Sequence, residues 1–493
     1  MSEQHENNQE LKGRSVRGVF WSLMEQGGSQ LTQFLTFLVL ARLLAPEAFG
    51  LISLANIFIH LAQALVASGF GDAIIQRKTL EKEHLDTAFW INVGIGCLLT
   101  VVGFFSAGSV AQFFKEPALA AIVQALSFNV FINSFASTQS AILTRNLNFK
   151  GLTARRVISM LIGSTAGITM AAMGFGVWSL VGQTLITSLV GCLLLWRISD
   201  WRPGFQVSMT HFKDLFAFGI NVVGIGLLVF LSRRIDDFLI GYFLGTAALG
   251  YYTVAYKIFL SLMQIIQEST RKVSFTAFAK LQEQPKALRK ALYSSTRVIS
   301  FIGIPAFVGM AAIAPEFVQL FFGEDWLPSI PVMQILAFNG VLVAAMSFTG
   351  PLITALGKPG WNLMLLLIST VVRSAAFLLV IDQGIVMIAL ALVICNYALL
   401  PTNLWTLWKL AQIGWAKFIA QTIPSLLASG IMATGVLGFK ALCGNMLNTQ
   451  LLLASGILIG AITYSLAAWV LMPDVLRKLT GLVRSALASN ASN

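Results

Sequence analysis

Charge is what this chain has least of. Only 11% of its 493 residues are charged, while 56% are hydrophobic and the mean hydropathy is +0.78. Soluble proteins carry roughly 25% charged residues, so a soluble globular chain is excluded. The apolar residues come in repeated runs of about 20, the length of a membrane-crossing helix, rather than in the short alternating segments of a barrel. Histidine and cysteine are sparse as well. His5, His60, His84 and His211 are scattered, and Cys97, Cys192, Cys395 and Cys443 lie in or beside apolar runs without a CxxC spacing. That distribution excludes a disulfide framework and a metal site, and leaves the cysteines as small apolar fillers. P-loop, HExxH and GxSxG motifs are missing too, so neither ATP-driven transport nor metal- or serine-dependent hydrolysis has a site. No catalytic residue, metal ligand or cofactor is expected.

What is present is a series of fourteen apolar spans, at approximately 18–41, 49–69, 88–108, 118–140, 155–174, 176–196, 216–241, 246–268, 293–314, 330–352, 362–381, 384–406, 418–438 and 451–471. The least marked divisions fall at Gly174 and at Asp382-Gln383-Gly384. The fold class expected is therefore all-α and polytopic, with an even number of spans placing both termini on one side. A polar tail, residues 1–17, precedes the first span, and without a small-residue cleavage site that span reads as a retained helix. Of the 33 basic residues, 26 fall in segments on the side of the termini and three, Arg42, Lys115 and Lys440, on the other. The positive-inside rule then makes the termini cytoplasmic. The same distribution accounts for the net charge of +12 through contact with anionic lipid headgroups, so no nucleic-acid partner is implied. The longest extramembrane stretch, Ser269 to Tyr293, is basic and reads as a connecting surface helix, with Phe275, Phe278, Leu281 and Leu288 facing the membrane.

An internal repeat divides the spans. Residues 38–58 align without gaps to residues 238–258, matching Leu44 to Leu244, Ala48 to Ala248, Gly50 to Gly250 and Ala55 to Ala255. Six spans separate the two segments, which makes them corresponding parts of a parallel repeat. The expected organisation is an N-lobe at 18–196, a cytoplasmic linker at 197–214, a C-lobe at 215–406, two additional C-terminal spans at 407–471 and a cytoplasmic tail at 472–493.

The few charges inside spans are the candidate functional residues, since an ionisable group at mid-bilayer costs about 2.5–3.5 kcal/mol on insertion scales. They concentrate in RRIDDFLIGYFLGTAALGYYTVAYK, residues 233–257. Arg233 with Asp237 has i,i+4 spacing, while Arg233 with Asp236 and Arg234 with Asp237 have i,i+3 spacing, so these charges can partly neutralise one another on one helix face. Lys257 has no acid at such a spacing. Arg373 lies mid-span, too deep to snorkel easily, and Glu25 sits two turns into the first span beside Gly27-Gly28. Two readings of the cluster stand side by side: an ion-paired group at the membrane edge, or a polar surface facing a water-filled interior. On the second, Arg233, Arg234, Lys257 and Arg373 form a cationic surface suited to an anionic head group, and Glu25, Asp236 and Asp237 are coupling or ion-pair residues. Asn56, Asn92, Gln124, Asn129, Asn133, Gln139 and Asn221 are further polar side chains within spans.

Four stretches carry a family resemblance: ARLLAPEAFGLISLA at 41–55, GFGDAIIQRK at 69–78, LTRNLNFKGLT at 143–153 and IDDFLIGYFLGTAALGYYTVAYKI at 235–258. Together they resemble the polysaccharide-transporter family, the O-antigen and colanic-acid exporters of the superfamily that also holds multidrug extruders and peptidoglycan-precursor flippases. The resemblance implies two six-helix bundles with two additional C-terminal helices. It also implies translocation of an undecaprenyl-pyrophosphate-linked oligosaccharide across the bacterial inner membrane, with membrane lipids and other polysaccharide assembly proteins as partners. The alternatives are a multidrug or small-lipid exporter of the same superfamily and a membrane glycosyltransferase or polymerase. The last needs catalytic residues in a sizeable outer loop, for which only Glu316, Glu324 and Asp325 near 315–329 offer themselves.

Overall fold

The structure, a computed structural model, describes residues 28, 30–67, 71, 74–75, 81–205, 209–444 and 446–477. Every regular element among them is helical, and ten helical stretches are long and apolar enough, by length and composition, to cross a membrane. Helices suit that environment because each satisfies its own backbone hydrogen bonds where no water can. The chain forms two compact units that meet between Gly250 and Tyr251. The first holds α1 (Gln30–Leu43), α2 (Pro46–Ala67), α3 (Lys82–Phe114), α4 (Ala118–Arg145), α5 (Phe149–Ala172), α6 (Trp178–Ile198), α7 (Met209–Phe243) and the start of α8 (Gly245–Lys280). The second holds the rest of α8, then α9 (Pro285–Phe321), α10 (Ser329–Met346), α11 (Thr349–Ala355), α12 (Pro359–Val380), α13 (Ile385–Ala398), α14 (Leu400–Ala411), α15 (Trp415–Ile419), α16 (Ile423–Cys443) and α17 (Thr449–Leu471).

Local chemistry sets the helix ends. Glu81 and His84 form a reciprocal capping box at the start of α3, Asn148 accepts from the Gly151 N–H at the start of α5, and Asn448 accepts from the Leu451 N–H at the start of α17. The expected division at Gly174 is a tight turn in which Gly174 and Gly176 take φ of 83° and 56°, and the one at 382–384 is a single 3-10 turn closed by Gly384 at φ 90°. Several spans are broken where the sequence reading had them continuous. Between α10 and α11, α13 and α14, and α15 and α16 the break falls just ahead of Pro351, Pro401 and Pro424, since proline removes a backbone donor and crowds the preceding turn.

The stretch 269–293 differs from expectation. It is helical, but α8 runs unbroken to Lys280 and α9 begins at Pro285, so it belongs to two long helices rather than to a separate surface helix. No residue between Ile266 and Lys280 can stop a helix; the first breaker is the Gln284-Pro285 pair. With 37 residues α9 is about 55 Å long, well beyond the roughly 30 Å of a bilayer core.

Two features of the first unit position the functional residues. At one end the segment after α6 is clamped back onto α3: Asp86, 1% exposed, accepts from the Gly204 N–H at 3.0 Å, and the Trp90 indole donates to the Gly204 carbonyl at 2.7 Å. Phe89 sits beneath, with Trp90, Phe135, Trp196 and Trp201 all edge-on to it. At the other end α7 packs against α2 and α3 through Phe113, Phe114, Phe238 and Tyr242, with Phe113 and Tyr242 ring centroids 4.7 Å apart. Here the repeat acquires a physical meaning. The Thr246 backbone occupies the space a Cβ on Gly50 would need, and the Pro46 backbone, 200 residues before Thr246, occupies the space a Cβ on Gly250 would need. The two copies of the repeated segment therefore touch reciprocally, each lending a glycine to the other's helix start.

Candidate substrate-binding interior

The cluster on α7 is partly as the spacing predicts. Asp236 and Asp237 are buried, at 5% and 6% exposure. Arg234 Nη1 donates to Asp237 Oδ2 at 2.7 Å, so the realised partner of Asp237 is the i,i+3 arginine rather than Arg233. Arg233 is exposed and Arg234 half-buried. Two arginines and two carboxylates leave this cluster without net charge.

Lys257 is half-buried on α8 between buried Val254, Ala255, Ile258 and Phe259. Arg373 is half-buried on α12 and turns back along its own helix, Nε donating to the Ser369 carbonyl at 3.0 Å and Nη2 to Ser369 Oγ at 3.3 Å. Both belong to the second unit, whereas the α7 cluster belongs to the first. Glu25 lies outside the described residues.

A polar interior in the first unit went unread in the sequence. Asn129, 3% exposed on α4, is its hub. Its Oδ1 accepts from Gln63 Nε2 of α2 at 3.3 Å, from Ser188 Oγ of α6 at 3.2 Å and from Asn133 one turn along α4. Gln63 is in turn bonded to His60 Nδ1 at 3.1 Å, at the exposed edge of this network. Beyond Asn133 the helix opens onto a cavity of about 360 Å³ lined by Gln63, Asn133, Ser137, Ser140, Thr144 and Arg155, with small or apolar residues between. Polar groups thus run from Gln63 through Asn129 and Asn133 to the cavity side of Arg155.

The legible part of this interior was its stripe. Positions 129, 133, 137, 140 and 144 are spaced three and four apart, so α4 presents five hydrogen-bonding side chains along one face over roughly 22 Å. Arg155, counted in the sequence as a charge of a basic loop, lies on α5 and faces the cavity. Gln139, by contrast, is fully buried on another face of α4, and Gln124 bonds the Phe104 carbonyl at 3.5 Å.

The described residues thus form long apolar helices around a polar interior. Solved structures share this fold. The lipid II flippase MurJ in an inward closed conformation superposes with a TM-score of 0.72 at 14% identity, covering 93% of this chain and 100% of that one. An inward-facing multidrug resistance MATE family transporter superposes with a TM-score of 0.63 at 17% identity, covering 78% and 95%. Residues 39–331, more than half of the chain, match the family described as polysaccharide biosynthesis protein, and the chain belongs to that family. Among its relatives, the succinoglycan biosynthesis transport protein ExoT of Rhizobium meliloti (strain 1021) is 25% identical over 473 residues, covering 95% of this chain and 96% of its own. The lipopolysaccharide biosynthesis protein WzxC of Escherichia coli (strain K12) is 27% identical over 353 residues, 70% of either chain. The resemblance read from four stretches of sequence is thereby established; ExoT is named as a transport protein, and the two structural neighbours as a flippase and a multidrug transporter.

Proposed function

We propose that this protein is a flippase that carries an undecaprenyl-pyrophosphate-linked oligosaccharide across the bacterial inner membrane by alternating access, in exopolysaccharide or O-antigen assembly. The observation that carries the reading is a cation-bearing, amide- and hydroxyl-lined interior within apolar helices of a chain from the polysaccharide biosynthesis family. An amphiphile with an anionic sugar head needs such a surface, because its charge and hydroxyls must be compensated once water is removed, while its polyprenyl tail can stay in lipid. In this reading the chain has fourteen spans in two six-helix lobes, 18–196 and 215–406, with two additional spans after them. Both termini are cytoplasmic, as the basic loops require. Lys257 and Arg373 hold the pyrophosphate; Arg233 and Arg234 contribute at the α7 cluster, balanced by Asp236 and Asp237. Membrane lipids and other polysaccharide assembly proteins are the partners.

The rival reading, export of hydrophobic cations, calls for carboxylates facing the ligand, and among the described residues the cavity of the first unit is lined by an arginine and no acid. Deletion of the gene decides between them. Under the flippase reading a lipid-linked oligosaccharide accumulates on the cytoplasmic leaflet, and the wild-type protein, but not a folded Lys257→Ala or Arg373→Ala variant, clears it. Heightened sensitivity to cationic drugs with no accumulated lipid-linked sugar would overturn the reading.

A further inference from the structure

The cavity of the first unit has a donor set more specific than general polarity. We propose that in one of the two access states it binds one phosphorylated sugar residue, the unit next to the lipid phosphate, with Arg155 on the phosphate and the α4 stripe on the sugar hydroxyls; this rests on the flippase reading, in which Lys257 and Arg373 hold the pyrophosphate in the other state, and names a subsite for it.

Three observations support the assignment. The first is size: about 360 Å³ is near the lower limit of small-molecule sites and accommodates a sugar ring with its phosphate, not an oligosaccharide. The second is chemistry. Gln63, Asn133, Ser137, Ser140 and Thr144 come from two helices and converge on one space with both donors and acceptors, as hydroxyl recognition demands. Arg155 supplies the planar fork that matches phosphate oxygens. The third is preorganisation. Asn133 Nδ2 is held by the Asn129 carbonyl at 2.8 Å, Thr144 Oγ1 by the Ser140 carbonyl at 2.8 Å, and Ser137 Oγ accepts from Asn92 Nδ2 at 3.4 Å. Their orientation is thus set by the fold before a ligand arrives, which lowers the entropy cost of binding.

Arg155 also explains itself better this way than as a topological charge. The neighbouring Arg156 is exposed, as a headgroup-facing residue should be, whereas Arg155 is half-buried on the cavity side of α5. Two adjacent arginines of one helix therefore do different work.

The test is photo-cross-linking of the full-length protein in cells that make its own lipid-linked glycan. A small diazirine amino acid is placed at Ser140, in the cavity, and separately at Leu161, exposed on α5; adducts are identified by mass. The expected result is an adduct containing both hexose and phosphate at 140 and only phospholipid at 161. Arg155→Ala lowers the yield at 140 about ten-fold, Asn133→Leu lowers it likewise, and Arg155→Lys keeps a larger share than Arg155→Ala. Unchanged melting temperature of the unliganded variants separates binding from folding. Phospholipid or no adduct at 140, or a sugar-phosphate yield that Arg155→Ala leaves unchanged, overturns the proposal. If wild-type protein still clears the accumulated lipid-linked glycan in those cells, only the subsite is lost; if it does not, the flippase reading itself has failed.

Discussion

Arg234 and Asp237 illustrate what spacing does and does not say. Helical periodicity offered Asp237 two arginines, at i−4 and i−3, and nothing in the local sequence chose between them. Packing of α7 made the choice: it buries Asp237 beside Asp236 and leaves Arg234 reachable while Arg233 faces outward. The two ends of the pair are consequently unequal. Arg234→Ala strands a buried carboxylate next to a second one, a loss of about 1–3 kcal/mol once the partial exposure of the arginine is allowed for. Asp237→Asn removes one of two adjacent buried carboxylates and leaves an arginine able to reach water, so it costs less. Thermal unfolding of the two detergent-purified variants checks the order, and equal losses would contradict it. Arg233→Ala should change stability little.

Helices α9 and α16 of the second unit are joined by a part-buried ion pair that the sequence concealed. Lys440 had the appearance of an outer-loop charge, being one of three basic residues on the less basic side. It ends α16 instead, where its Nζ contacts the Glu316 carboxylate and donates to the Ala312 carbonyl at 2.5 Å, both side chains being only 14% exposed. Lower down, the Tyr464 hydroxyl of α17 donates to the Phe301 carbonyl of α9 at 2.5 Å. These ties bind the last two long helices to α9 at separate heights. Removing one partner of such a pair leaves the other buried and uncompensated, so Lys440→Met is expected to cost about 3–5 kcal/mol. Adding Glu316→Leu should restore most of that loss. Chemical denaturation of the single and double variants in detergent provides the check, and additive losses would show that the charges act independently. The rival use of Glu316 as a catalytic acid in an outer loop loses its footing, because the residue lies within α9 and is already neutralised.

Taken over the whole molecule, the repeat was the faintest signal in the sequence and the most informative. Four identities in the aligned segments include Gly50 and Gly250, and the structure shows each glycine admitting the backbone of the other copy. A backbone cannot move aside as a flexible side chain can, so Gly50→Val and Gly250→Val are each expected to destabilise by about 1–3 kcal/mol. Because either one parts the same two segments, the double variant should lose less than the sum. Gly108→Ala on α3, where a Cβ meets nothing within 4 Å, is the control and should not destabilise. Melting temperatures of the four proteins test this, and a full sum in the double variant would mean that the two contacts are separate.

The sequence by itself determined that the chain is helical and membrane-embedded, that turns fall at Gly174 and at 382–384, and which family it belongs to. Those properties follow from hydropathy runs, proline and glycine positions and short motifs, all local in the chain. Only the tertiary structure decided which arginine pairs with Asp237, that Lys440 is a part-buried tie, and that Gln63, five positions on α4 and Arg155 form one interior. Each of those depends on which face of a helix meets another helix. In a sequence where nearly every face is apolar, the contrast between buried and exposed faces that marks contacts in soluble proteins is largely missing.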